Sequence, residues 1–219
     1  MVMKDFKWKW QDTLIVILGV LALGYALINY SKLPDQLPAQ FSITGEVNRY
    51  WPKSSIIIQG VLLGLVLPLA MQFIRRIDPK QDNYSKFTGA YKMIRLAIAV
   101  MMDAMLVLAV AKGLNPDFAA GKLAIAVVGV LFIALGNYMP QIKDNYFTGI
   151  KTPWTLASPE VWRKTHRFSG YMWVAGGVML VLAAFLPRTV SISLIITSLL
   201  IAVIVPYVYS WFITQRMKA

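Results

Sequence analysis

The chain has 219 residues, of which 58% are hydrophobic and 15% are charged, and its net charge at pH 7 is +12. This hydrophobic content is far above that of a soluble domain. Because Cys is absent and only one His is present, disulfides, thiolate catalysis and multi-histidine metal sites are excluded, and we predict no cofactor and no metal.

The apolar residues come in blocks about 20 residues long, the length that crosses a bilayer as a helix. We predict an all-α, polytopic membrane protein, a single bundle of six transmembrane helices. The first block lacks a clear small-residue cleavage site, so no cleavable signal peptide is expected. The six predicted spans are roughly Thr13–Tyr30, Ser55–Ile74, Gly89–Ala111, Leu123–Ile142, Ser169–Leu186 and Val190–Ile213.

The basic residues predict the orientation of these spans. Of the 22 Lys and Arg residues, 14 fall in the N-terminal tail, the second and fourth loops and the C-terminal tail, and six fall in the other loops. An excess of Lys and Arg marks the cytoplasmic side, so both termini are predicted to be cytoplasmic. Because the excess is spread over four short segments, we expect no direct nucleic-acid binding.

The chain divides into two predicted regions within one bundle. Residues 1–87 form an N-terminal pair of spans with an extracellular loop over residues 33–54. Residues 88–219 form a four-span region with a cytoplasmic loop over residues 143–168. In the extracellular loop, Pro34 and Pro38 impose extended or turn backbone and Gly45 allows a tight turn, so we expect a defined shape packed over the bundle.

The third predicted span carries three charged residues, Lys92, Arg95 and Asp103, on one helical face. A charge near the bilayer centre is costly unless it is paired or hydrated, so this face is predicted to point into the bundle. Asp103 lies about 12 Å along the helix from Arg95, too far for a simple pair within the helix. A side chain from another span, water or Arg95 is the expected partner. Asp103 serves either helix packing or an ion or proton relay.

The cytoplasmic loop is dense in polar and aromatic residues and contains the only His, His166. Ser158 can cap a helix that starts at Pro159 and runs through Trp162 into the fifth span. That part has an ordinary interpretation as an amphipathic entry to a span. A hydrolase site at His166 would lack an orienting acid on another element, so we predict that the protein is not an enzyme.

Two stretches resemble a known family. The pattern LPDQLPAQF after the first span is similar to the N-terminal LPxxLP domain, of unassigned function, found in SdpI-type membrane proteins. The stretch GNYMPQIKDNYFTGIKTPWTLASPEVWRKTHRFSG, residues 136–170, resembles the SdpI family signature. By this resemblance the functional residues of the signature loop are Asn137, Asn145, Gly149, Thr152, Pro153, Trp154, Trp162, Thr165, His166 and Arg167.

The resemblance implies an immunity protein of the cell membrane, which gives resistance to a secreted antimicrobial peptide. It also implies signal transduction, in which the protein holds a small winged-helix autorepressor at the cytoplasmic side. The implied partners are therefore the lipid bilayer, a secreted peptide toxin and this repressor. Two alternatives stay open: a small transporter or channel that uses Asp103 and Arg95, and a membrane enzyme whose cytoplasmic loop holds a lipid head group.

For the loop itself we expect a structured cap under the bundle. Gly149 and Pro153 would set its turn, and the hydroxyls of Thr152, Thr155 and Thr165 would satisfy open backbone groups. Trp154 and Trp162 would wedge under the bundle, while His166 and Arg167 would face the fourth span or a partner. The alternative is a surface helix with a flexible linker.

Overall fold

The computed structural model describes residues 8–218, without the side chain of Lys218. Within this part, five helices are long and apolar enough to cross a membrane, which confirms the prediction of a multi-pass helical membrane protein. The five are Trp10–Lys32, Ser55–Ile77, Gln81–Leu114, Ala120–Gln141 and Arg188–Met217.

The first helix, α1 (Trp10–Ile28), begins three residues earlier than predicted. Asp12 lies in its first turn, where the helix dipole favours an anion, and its Oδ2 accepts a hydrogen bond from the Lys9 backbone N–H at 2.9 Å. This earlier start brings Asp12 into the helix, where its side chain is fully buried.

A β-hairpin follows α1, so the expectation of an all-α fold is wrong at this point. Strands β1 (Gln36–Phe41) and β2 (Val47–Pro52) pair antiparallel, with Gln36 opposite Pro52. Gly45 has φ +80 in the connecting turn, a conformation that favours glycine. Two-residue periodicity is weak here because the hairpin is mostly exposed, which is why the strands are not evident from the sequence.

The second span contains a change of helix type. α2 (Ser55–Gln59) continues through a π-helical segment (Gly60–Val66) into α3 (Leu67–Ile77). Pro68 has no N–H to donate to the carbonyl four residues earlier, and local π geometry is one way in which a helix adapts to such a loss.

The middle of the chain forms two long helices. A 3₁₀ segment (Gln81–Phe87) leads into α4 (Thr88–Leu114), and α5 (Ala120–Tyr138) ends in a 3₁₀ turn (Met139–Gln141). These bounds agree with the predicted third and fourth spans to within about four residues.

After a short helix α6 (Pro153–Ala157), α7 (Pro159–Ala183) runs antiparallel to α5 at very short range. A Cβ placed on Gly129 would lie 2.7 Å from the Gly177 carbonyl, and one on Gly136 would lie 2.7 Å from the Gly170 carbonyl. Small residues allow this backbone contact. The predicted fifth span, Ser169–Leu186, overlaps α7 but extends three residues past its end at Ala183. Basic and polar residues in the first turns of α7 keep it outside the group of five apolar helices.

The last span also contains a π-helical segment. α8 (Arg188–Leu199) continues through residues Leu200–Ile204 into α9 (Val205–Lys218). Pro206 has no N–H for the Ala202 carbonyl, and that carbonyl accepts a hydrogen bond from the indole Nε1–H of Trp173 on α7 at 2.9 Å. The irregularity in one helix is therefore stabilised by a side chain from another.

The connections lie at two opposite ends of the bundle. At one end, Leu33 and Leu37 of the hairpin segment pack with α1 and α4, and Arg188 at the start of α8 lies 3.4 Å from Glu46. At the other end, the 78–87 segment meets the loop between α5 and α7. Helix α7 starts at the end that holds the loop between α5 and α7, and Arg188, which follows α7, lies at the hairpin end. Helix α7 therefore runs along the whole bundle.

Candidate functional site in the 143–168 loop

Asn145 organises the first turn of the 143–168 loop. Its Oδ1 accepts hydrogen bonds from the backbone N–H groups of Phe147 at 2.9 Å and Thr148 at 2.6 Å, and its Nδ2 donates to the carbonyls of Lys143 and Thr148. The residue is completely buried. Buried backbone N–H and carbonyl groups need hydrogen-bond partners, and in this turn Asn145 supplies the partners that the backbone itself does not.

Side chains from the segment after α3 also contact this turn. Asp78 is buried, and its Oδ2 accepts from the Tyr84 hydroxyl and from the Tyr146 backbone N–H, both at 2.9 Å. Lys80 forms an ion pair with Asp144 at 2.7 Å. Sequence reasoning missed Asp78 and Tyr84, because nothing in the local pattern connects residues more than 60 positions apart.

Gly149 and His166 form the centre of the loop. Gly149 has φ +117, and a Cβ on it would clash with Nε2 of His166. That Nε2 accepts from the Ile150 N–H at 3.0 Å, while Nδ1 lies 2.9 Å from the Trp162 carbonyl. These partners require a neutral imidazole with its proton on Nδ1. Burial lowers the pKa of His166 to about 4, which favours the same neutral form.

Trp162 joins the start of the loop to α7. Its indole Nε1–H donates to the Ile142 carbonyl at 2.9 Å, and its ring stacks on His166 with 4.1 Å between ring centroids. Trp162 is buried together with Tyr84, Phe87 and Tyr91 in an aromatic cluster that includes the start of α4. The expected wedge of Trp162 under the bundle is therefore observed.

Side chains of helix α6 and its N-cap contact the last helix, α9. Thr152 is the N-cap of α6: its hydroxyl accepts from the Thr155 N–H at 3.1 Å, and Pro153 occupies the first turn. The Thr155 hydroxyl donates to the Ile150 carbonyl at 2.9 Å, and Oγ1 of Thr152 lies 3.0 Å from Oγ of Ser210 on α9. Trp154 is half-buried and contacts the ring of Tyr207 edge-on. Ser210 was not anticipated from the sequence.

Two of the predicted loop residues take other roles, and two more of the predicted site residues are exposed. Thr165 is buried, but its hydroxyl has no hydrogen-bond partner among the described residues, so the expectation that it satisfies a backbone group is wrong. His166 faces the loop rather than the fourth span, because the Ile150 N–H needs its Nε2. Asn137 on α5 and Arg167 on α7 are exposed.

The charged stripe of α4 is arranged differently from the prediction. Arg95 pairs with Asp12 at 3.0 Å and donates from Nε to the Pro68 carbonyl at 2.7 Å, and Gln72 also donates to Asp12. The buried acid that neutralises Arg95 is thus Asp12 and not Asp103. Lys92 is only partly buried.

Asp103 is buried, as expected for a side chain that faces the bundle interior, and it lies against Gly64 of the second span. Neither of its carboxylate oxygens has a hydrogen-bond partner in the part of the chain that the structure describes. A Cβ on Gly64 would clash with Oδ1 of Asp103, so the glycine leaves the space that the carboxylate occupies.

The hairpin covers an apolar cavity at the opposite end of the bundle. The cavity has a volume of about 400 Å³ and lies between β1 and helices α4, α5, α7 and α8. Pro38 lines it, Gly45 packs directly on Gly121, and Pro34 lies beside Gly113 of α4. Within residues 8–218, no group of three or more His, Asp or Glu side chains could hold a metal ion.

Comparison with known proteins finds similarity in both halves of the chain. The model of the SdpI/YfhL protein family matches residues 141–210, and that of a domain of unknown function, DUF1648, matches residues 17–64. The chain is 22% identical over 214 residues to the immunity protein SdpI of Bacillus subtilis (strain 168), which covers 95% of this chain and 98% of that protein. No solved structure gives a significant match. The resemblance to SdpI-type proteins is thus confirmed, with the loop inside the matched region.

Proposed function

We propose that this chain is a non-catalytic membrane immunity protein, which protects the cell that makes it from a secreted antimicrobial peptide. The observation that carries the proposal is the similarity to an immunity protein along almost the whole chain, 95% of its length. The family match at residues 141–210 covers Asn145, Gly149 and His166, whose contacts fix the loop. A site held by such buried contacts suits a structural or signalling role.

The topology that we propose has six spans, with α7 as the fifth, and both termini in the cytoplasm. It is supported by the glycine contacts of α7 with α5 and by the position of Arg188 beside Glu46, at the end of the bundle away from the 143–168 loop. The 14 basic residues on one side support the orientation. A cytoplasm-specific reporter fused after Ala219 should be active, and one inserted near Thr44 should be silent. Reversed signals would overturn the orientation.

In this orientation the hairpin and its cavity face outward and receive the peptide. The lining of the cavity is mainly apolar, with Met102, Met105 and Leu180 among its residues. Flexible Met side chains adapt to ligands of different shapes. Both regions then contribute to peptide binding, because residues 1–87 provide the hairpin and residues 88–219 provide most of the cavity wall.

On the cytoplasmic side, the loop offers a surface for a soluble partner such as a small winged-helix repressor. Tyr146 and Phe147 are exposed large side chains next to the exposed Lys151, and Arg163 and Arg167 on α7 are also exposed. Aromatic residues and Arg are enriched at protein interfaces. The backbone beneath this surface is fixed by Asn145, so the surface is ready to bind without reordering.

The test is survival of a peptide-sensitive bacterium that expresses the chain and is exposed to a secreted killing peptide. The intact chain should protect, whereas Thr152→Ala and Trp154→Ala should reduce protection while membrane insertion stays normal, because both residues connect the loop to α9. Gln215→Ala, which changes an exposed side chain of α9 outside both proposed binding surfaces, is the matched control for handling and expression. Full protection by both loop variants would leave the loop without a functional role.

A transporter is the second candidate function, and the unpartnered carboxylate of Asp103 is the observation that favours it. A relay group must be able to gain and lose a proton or ion inside the membrane. Proton flux in proteoliposomes that disappears in Asp103→Asn, with unchanged protein level, would support this function. Protection by Asp103→Asn equal to that of the intact chain, without flux, would support the immunity function instead.

A further inference from the structure

A second cavity, of about 530 Å³, lies at the same end of the bundle as the 143–168 loop but on its other side. It is enclosed by the start of α1, the end of α3, the 81–88 segment and the start of α4. Its charged lining residues are Lys9, Arg75, Arg76, Lys92, Arg95 and Asp82. Five positive groups thus face one negative group across a single cavity.

Arg95 is the buried member of this lining, with 1% of its surface exposed. Its Nε and Nη1 donate to the Pro68 carbonyl and to Asp12, which fixes the plane of the guanidinium. Its Nη2 is buried and has no hydrogen-bond partner among the described residues. An unused donor of a buried charge is costly, and a ligand that accepts a hydrogen bond would remove that cost.

The charge balance points to an anion. Asp12 pairs with Arg95, while Lys9, Arg76 and Lys92 line the cavity with Asp82 as the only acid in its described lining. Several cations held near each other repel, and an anion between them lowers that energy. Arg and Lys together are the usual groups around phosphate, because guanidinium donors match its oxygens and ammonium groups add charge.

We propose that this cavity binds a phosphate group, with Arg95 as the buried donor and Lys92 and Arg76 as the cations around its mouth. The phosphate belongs either to the head group of an anionic phospholipid or to a free phosphate. In the proposed topology the cavity opens toward the cytoplasmic leaflet, where basic pockets between transmembrane helices bind such head groups. The inference goes beyond the immunity function, because it assigns a ligand to a site outside the 143–168 loop.

The experiment uses the full-length protein in a neutral detergent. Native mass spectrometry and thermal unfolding would be measured with added phosphatidylglycerol, phosphatidylcholine or inorganic phosphate. We expect retention of phosphatidylglycerol over phosphatidylcholine, and at least a tenfold loss of affinity in Lys92→Gln/Arg76→Gln. Arg163→Gln on α7, which removes an exposed charge on the same side but outside the cavity, is the matched control and should bind as the intact chain does.

The outcomes separate the two sources of phosphate. Selective retention of phosphatidylglycerol that the double variant loses supports the head group, and stabilisation by inorganic phosphate that the double variant loses supports free phosphate. Binding of neither, or equal loss in the double variant and in Arg163→Gln, overturns the proposal. Since no step of this experiment uses the killing peptide, failure of the phosphate site and failure of the immunity function give different results.

Discussion

The hairpin and the 143–168 loop are held in two different ways. In the hairpin, backbone pairing between β1 and β2 sets the shape, and Leu33 and Leu37 anchor it through apolar contacts. In the loop, buried Asn145 and His166 satisfy individual backbone groups. Apolar contacts tolerate small shifts, whereas a buried polar group that loses its partner is strongly penalised. The shape of the loop therefore depends on single buried polar side chains, and the shape of the hairpin does not.

The largest effect is expected when the organiser of the loop is removed. Asn145→Ala leaves two N–H groups and two carbonyls without their partner, and we expect a loss of about 3 kcal/mol in the free energy of unfolding. Thermal unfolding in detergent, followed by tryptophan fluorescence, measures it. Asn137→Ala removes an exposed amide from α5 and should stay within about 0.5 kcal/mol. Equal effects of the two variants would show that the buried contacts of Asn145 do not hold the loop.

A somewhat smaller effect is expected at the left-handed glycine. Gly149→Ala forces a Cβ into an unfavourable backbone conformation and against His166, so the free energy of unfolding should fall by about 2–3 kcal/mol. Gly24→Ala on α1, where a Cβ would meet nothing within 4 Å, should be neutral or slightly stabilising. The same unfolding assay compares them, and a neutral Gly149→Ala would mean that the loop readjusts easily.

The third expected effect is a dependence of stability on pH that comes from His166 in the loop. His166 has a pKa of about 4 in the folded chain and an ordinary pKa near 6.5 when unfolded. Between these values the unfolded state binds more protons, so stability is complete above pH 6.5 and falls as the pH drops toward 4. The loss between pH 7.5 and 5 should be about 2 kcal/mol.

Unfolding of the intact chain and of His166→Gln across this range checks the pH effect. The variant should be less stable at pH 7.5 but should show a flatter pH profile, since its side chain does not titrate. An identical slope in both proteins would assign the pH dependence to another group.

The smallest effect is expected in the hairpin. Glu46 and Arg188 are 3.4 Å apart, but both side chains are mostly exposed, and exposed ion pairs contribute little. Glu46→Gln should change the free energy of unfolding by less than about 0.5 kcal/mol. A loss comparable to that of Asn145→Ala would show that the hairpin is as rigidly fixed as the loop.

Helices were predictable from the sequence because each span carries its own signal. Five of the six predicted spans agree with the observed helices to within about five residues, since apolar length alone determines them. The fifth differs at its start, because α7 begins at Pro159 and not near Ser169. The 143–168 loop was recognisable as a structured unit from its unusual density of polar and aromatic residues. Gly149 was identified in advance as a turn residue and Thr152 as a residue whose hydroxyl satisfies backbone groups, because these roles depend on local backbone chemistry.

The polar contacts between distant residues were not predictable in the same way. Asp12 lay just before the predicted start of the first span, so its pairing with Arg95 was hidden by an error of three residues. The partners of Asn145 and Thr152, which are Tyr84 and Ser210, lie about 60 positions away in the chain. Such pairs are decided by how the helices pack, and a pattern within one helix carries no information about its neighbour.

The hydrogen bond between Trp173 and the Ala202 carbonyl has an evolutionary consequence. Pro206 leaves that carbonyl without the N–H four residues later, and the indole of Trp173 supplies a donor from another helix. Replacement of the tryptophan alone would remove the substitute donor, whereas replacement of the proline alone would give the carbonyl a competing one. Natural sequence drift should therefore change positions 173 and 206 together, as a correlated pair across two helices.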